Sequence, residues 1–301
     1  MGISVKDLVA GRKTFFITPD ISLIPESYLE DYFALGYECY FVENDKRIPL
    51  EKKLDIILST FDDVILFFNV DANIPDISWP EFINKLIKKY NNKVNVGVMY
   101  VKRQAKDDRA KLGLKYLYDM ELNCGCIQLE YQKKLNFDII EKSLFGNQAQ
   151  GRRHNDIRAF CTNACTFSCI YDDKPLSGCL QDISLSHFSF VMPKEDMVIT
   201  PCERIKDCHI SLRGMLFRSD AVLVTKRDVE DDQVLCVFAF VSSNGSGLEP
   251  RVKQMMIPNI YRLMSLNISN LITQIYTTSE EKDEEGKDKE VKEISDESDS
   301  L

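Results

Sequence analysis

Along the first 145 or so residues, two hydrophobic rhythms take turns. Short, nearly continuous apolar runs read as strands: "KTFFITP" (Lys13–Pro19), "YECYFVE" (Tyr37–Glu43), "DVILFFNV" (Asp63–Val70), "VNVGVMYV" (Val94–Val101) and "CGCIQLEY" (Cys124–Tyr131). A run without alternation predicts a strand covered on both faces, as in a parallel sheet. Between these runs the apolar residues recur three and four apart, which predicts helices. The helical segments are Pro25–Gly36, Pro49–Phe61, Ser78–Tyr90, a stretch near Asp107–Met120, and Asn136–Phe145. Pro49 and Pro80 fall in first turns, where a missing N–H costs nothing, and Ser78 suits an N-cap. Strand and helix in alternation predict an open, doubly wound, mostly parallel sheet. Ligands of such sheets sit at the carboxyl ends of the strands. Those ends carry no GxGxxG and no P-loop pattern, which argues against nucleotide binding by either route.

The rhythm changes after Gln150. "IRAFCTNACTFSCIYDD" and "GCLQDISLSHFSFVM" read as strands joined by a polar turn, and "DMVITP", "KDCHISLRGMLF", "DAVLVTKRD" and "VLCVFAFVS" follow. Short strands at this density, with no helix between them, predict a small antiparallel barrel. Gly247–Tyr276 then returns to helical spacing. Pro250 suits its first turn, whereas Pro258 is expected to kink or split it. The Met, Leu and Ile stripe of this helix is expected to pack on the barrel, with self-association as the alternative use.

Charge is distributed unevenly. The net charge of the chain is −9, and residues 279–301 hold 11 acidic and 4 basic side chains. So polar a stretch cannot offset its ordering entropy and is expected to be an acidic disordered tail. The rest of the chain is close to neutral, which argues against a general nucleic-acid binder. The start of the chain lacks the pattern of a secretory signal, and no apolar run is long enough to span a bilayer. A cytosolic protein with reduced cysteines is therefore expected. Cys161, Cys165 and Cys169 are spaced four apart and read as a core stripe with Phe167, the alternative being a metal site for which no matching Cys/His set exists. No nucleophile–base pair or ligand cluster stands out, so neither an enzyme nor a metal or organic cofactor is expected.

Five βα units in about 130 residues resemble the receiver domain of two-component signalling. That family needs paired acids after the first strand, an aspartate at the end of the third, a hydroxyl residue after the fourth and a lysine after the fifth. Here the first strand runs into Thr18 and Pro19, with only Asp20 beyond. Asn69 occupies the acceptor place, Asp71 lies two residues late, and Lys133 alone could fill its role. The resemblance implies a receiver-like domain without phosphotransfer chemistry.

The stretch "GRRHNDIRAFC" (Gly151–Cys161), the six-stranded barrel, the following helix and the phrase "DISLSH" together resemble the PilZ domain, a bacterial receptor for cyclic di-GMP. That family carries RxxxR in the linker before the barrel and (D/N)xSxxG on an early strand. The resemblance implies ligand contacts from Arg152, Arg153 and Arg158, with Asp182, Ser184 and His187 in the second motif. Arginine's planar fork can grip phosphate and guanine, and a carboxylate can accept from guanine N–H groups. Strand alternation would put Asp182 and Ser184 on one face, with Ile183 and Leu185 facing the core. Two departures stand out. Arg153 and Arg158 are five apart, the four-residue spacing falling on His154 and Arg158, and His187 replaces the glycine.

The expected organisation is therefore a receiver-like α/β domain (1–146), a basic linker (147–158), a PilZ-like barrel with its C-terminal helix (159–278) and the tail (279–301). The expected function is a cytosolic signalling adaptor that binds cyclic di-GMP and acts on a protein partner not identified by the sequence, by changing how its domains sit. The alternative is a degenerate PilZ protein that binds no nucleotide and serves as a protein-interaction module.

Overall fold

The computed structural model describes residues 8–90, 94–101, 106–150, 157–229, 231–242 and 245–298. In the first half, strands β1 (Arg12–Ile17), β2 (Cys39–Val42), β3 (Asp63–Asn69), β4 (Asn95–Val101) and β5 (Cys126–Leu129) form a parallel sheet in the order β2-β1-β3-β4-β5. Helices α1 (Glu26–Ala34), α2 (Leu50–Thr60), α3 (Trp79–Lys89), α4 (Lys106–Gly113, continued by a π-helical turn, Leu114–Asp119) and α5 (Lys133–Gly146) alternate with the strands. This is the doubly wound order expected of a receiver-like domain. β1 and β3 are buried along nearly their whole length because helices cover both sheet faces. Phe15, Phe16, Leu66, Phe67 and Phe68 are fully buried.

The second half is a closed antiparallel barrel. Strands β7 (Cys165–Tyr171), β8 (Lys174–Ile183), β9 (His187–Pro193), β10 (Arg204–Leu212), β11 (Met215–Val229) and β12 (Gln233–Ser242) run in the order β11-β10-β7-β8-β9-β12, and β12 pairs back onto β11. The short β6 (Ala159–Phe160) and β13 (Gly245–Ser246) attach to β8 and β12. Alternating residues fill the barrel, with Phe167, Phe188, Phe190 and Phe238 packed ring against ring at its centre. Cys165 and Cys169 belong to that inward stripe, whereas Cys161 lies beyond the end of β6.

Helix α6 (Pro250–Ser298) closes the structure. Its buried positions Met256, Ile260, Leu263, Met264, Ile268, Leu271 and Ile272 follow helical spacing. This stripe packs on β6 and also against α1 and α2 of the first domain, so the stripe serves two partners rather than the barrel alone. The buried Asn267 side chain pairs with both backbone groups of Phe160, accepting from its N–H at 2.9 Å and donating to its carbonyl at 3.2 Å. Tyr261 donates to the carbonyl of Cys39 in β2 at 3.1 Å. The buried residues of the two halves merge into one core.

Pro258 neither splits nor ends the helix. The carbonyl it leaves without a helical partner is that of Gln254, an exposed residue that water can serve, and the buried stripe holds the axis on both sides. The helical backbone also continues through the acidic stretch to Ser298, where composition predicts disorder. In the sequence, acidic and basic residues recur four apart in this stretch, a spacing compatible with helix. Among the described residues no helix is long and apolar enough to cross a membrane.

Candidate functional site

Between the parallel sheet and the outer face of the barrel lies a cavity of about 600 Å³. That is ample for a nucleotide-sized ligand. On the barrel side it is built by a bulge. β8 pairs Leu180 with Phe190 and Asp182 with Ser189, leaving Gln181 as the extra residue. Such an insertion turns two consecutive side chains outward. Gln181 and Asp182 therefore both line the cavity, while Leu180 and Ile183 point into the core.

Asp182 Oδ2 accepts from the buried Ser189 hydroxyl at 2.7 Å. Its Oδ1 stands 3.5 Å from Nη1 of Arg158, which enters from the linker just ahead of β6. Thus one residue from each of the two motif regions meets in the same cavity. β6 enforces the meeting, because Phe160 pairs with Asp182 across the ladder and Asn267 of α6 fixes Phe160. Apolar side chains of β9 and β12, Val191, Leu235 and Val237, form the floor.

The opposite wall comes from the first domain. Lys13 is 2% exposed, with Nζ 3.0 Å from Glu38 Oε1 and donating to the Ala10 carbonyl at 2.9 Å. Tyr40 donates to the same Glu38 oxygen at 2.7 Å. Burial, and then the Glu38 carboxylate, push the Tyr40 phenol well above its ordinary pKa, so it stays a donor at physiological pH.

The remaining expected site residues fall elsewhere. Arg152, Arg153 and His154 lie outside the described residues. Ser184 does not share a strand face with Asp182, because β8 ends at Ile183. Its side chain is buried in the turn to β9, where Oγ accepts from the N–H groups of His187 and Ser186 at 3.0 and 3.2 Å. The serine of this motif shapes the turn that ends β8. His187 opens β9 opposite Ala239, and its ring Nδ1 lies 2.8 Å from the Ser186 hydroxyl. It is not among the residues with positive φ, so a histidine fits that backbone without strain. Neither Ser184 nor His187 lines the cavity.

The sequence reading missed Lys13, Glu38 and Tyr40, and also Arg227 of β11, which lines the cavity. No local pattern marks them, since they reach the site only through pairing of distant segments. At the receiver-like strand ends, Asn69 donates to the Thr18 carbonyl at 3.0 Å, and Asp71 Oδ2 accepts from the Val101 N–H at 2.6 Å. The Asn69 amide and the Asp71 carboxylate are thus both tied into the backbone there.

No protein-family model matches the chain, and no curated protein matches it. Several solved structures match over part of their length. Among them is YcgR of Escherichia coli in complex with c-di-GMP, at 15% identity over 45% of this chain and 51% of that one, TM-score 0.29. The Bacillus subtilis inhibitor of motility, MotI (DgrA), matches at 13% identity over 38% and 53%, TM-score 0.30. PlzA of Borreliella burgdorferi, also in complex with c-di-GMP, matches at 11% identity over 44% and 58%, TM-score 0.27. The match spans about half the length of each of these proteins.

Proposed function

We propose that this protein binds cyclic di-GMP in the cavity between its two domains and acts as a PilZ-type signalling adaptor in the cytosol rather than as an enzyme. The observation that carries this reading is the convergence of Arg158 and Asp182, 3.5 Å apart, above an apolar floor in a cavity of nucleotide size. Arg158 offers a planar fork to phosphate or to guanine O6 and N7, and Asp182 accepts from guanine N–H groups. Arg152 and Arg153, a few residues earlier in the sequence, add positive charge to the same stretch. The ligand's signal passes to a protein partner through the joint between the domains.

One observation favours the rival reading of a nucleotide-free interaction module. Arg158 already stands 3.5 Å from Asp182 Oδ1, so this ion pair can serve simply to hold the linker on the barrel. Calorimetric titration of the full chain with cyclic di-GMP separates the two. Saturable binding, weakened about tenfold or more by Arg158→Ala, is expected, since one charge-assisted contact is worth roughly 1.5–3 kcal/mol and a decade about 1.4. Absence of binding at tens of micromolar would leave the module reading in its place.

A further inference from the structure

The floor of the cavity has an order that the two motifs do not explain. Across the ladders, Asp182 of β8 stands opposite Ser189 of β9, and Ser189 stands opposite Val237 of β12. In the adjacent row Val191 of β9 faces Leu235 of β12, which in turn faces Arg227 of β11. From Asp182 to Arg227 the barrel face crosses three strand spacings, about 14 Å at roughly 4.8 Å each. Val191, Leu235 and Val237 occupy the middle, and a charged residue stands at each end.

The cations around this cavity are not equivalent. Arg12 donates to Asp63 Oδ2 at 2.7 Å and to the Asn147 carbonyl at 2.9 Å, which ties it to its own domain. Lys13 is held by Glu38 and the Ala10 carbonyl. Arg158 faces Asp182. Arg227 is exposed, and among the described residues it has no ion-pair partner. A guanidinium at the end of an apolar strip, not engaged by the fold, is available to an anion lying along that strip.

We propose that Arg227 is a second anion-binding residue of this site. The nucleotide then lies across the barrel face from Asp182 and Arg158 to Arg227, with one base resting on Val191, Leu235 and Val237 and a phosphate reaching the Arg227 fork. Two anionic groups joined through a rigid ring system match a cation at each end of an apolar floor. The proposal rests on the nucleotide-binding reading above and adds a determinant on β11 that neither motif contains.

Titration of the full chain with cyclic di-GMP, using the wild type, Arg158→Ala, Arg227→Ala and Arg227→Glu, tests it. Arg227→Ala is expected to weaken binding about tenfold and Arg227→Glu further, both with an unchanged melting temperature, because the side chain is exposed and unpaired. If the wild type binds and Arg158→Ala weakens it while both Arg227 variants stay within twofold of wild type, the Arg227 contact is wrong and the nucleotide reading stands. If the wild type does not bind, both fall together.

Discussion

Ser184 and Asp182 stand two residues apart in one motif, yet the structure gives them opposite tasks. Asp182 faces the cavity because the bulge at Gln181 turns it outward, while Ser184 spends its hydroxyl on two backbone N–H groups of the following turn. Ser184→Ala should therefore cost stability, about 1–2 kcal/mol for losing a buried acceptor, and leave nucleotide affinity within twofold. Thermal unfolding and titration of the same sample check both halves of that statement. His187→Gly should likewise leave affinity unchanged, since His187 is off the cavity, while the added backbone freedom costs roughly 0.5–1 kcal/mol. The sequence pattern points to a segment that lines the cavity but not to its geometry. Simple alternation assigned Asp182 and Ser184 to one face, and neither the bulge nor the strand end at Ile183 is written in local residue preferences. Arg227 shows the same limit more strongly, because it enters the site through ladders that join four strands.

Among the elements, those of the first half were legible almost to their ends, because a strand covered on both faces and an amphipathic helix leave different imprints. Helix α6 was legible as a helix but not in its course, since Pro258 signals a break that buried contacts override. Pro258→Ala should restore the bond to the Gln254 carbonyl and raise stability by up to about 2 kcal/mol, seen as a higher melting temperature. Asn267→Ala should do the reverse. It strips the partners from both backbone groups of buried Phe160, at about 1–3 kcal/mol each, and frees β6, the strand that brings Arg158 to Asp182. Loss of stability together with loss of nucleotide affinity is the expected signature, and the position of β6 is what links the two.

For the molecule as a whole, the merged core predicts a single cooperative unfolding transition, with no separate melting of the parallel sheet and the barrel in calorimetry. Deleting residues after Thr278 should leave that transition within about a degree, because among the described side chains of α6 burial ends near Tyr276. Tyr32, Tyr40 and Tyr261 all carry phenol pKa values raised chiefly by burial. Such groups stabilise the fold fully below about pH 10, the unfolded value, and progressively less above it. Alkaline titration followed by tyrosinate absorbance should show these phenols ionising only as the protein unfolds. Helix α6 carries one more consequence at this scale. β2 is the outer strand of the parallel sheet, and the Cys39 carbonyl that Tyr261 satisfies points away from β1. The terminal helix of one half thus seals an open sheet margin of the other, the kind of margin along which sheets of separate molecules fuse. The two halves are consequently not interchangeable modules. A chain cut at the linker would expose that margin and the apolar sides of α1 and α2, and its first half is expected to self-associate more readily than the intact protein.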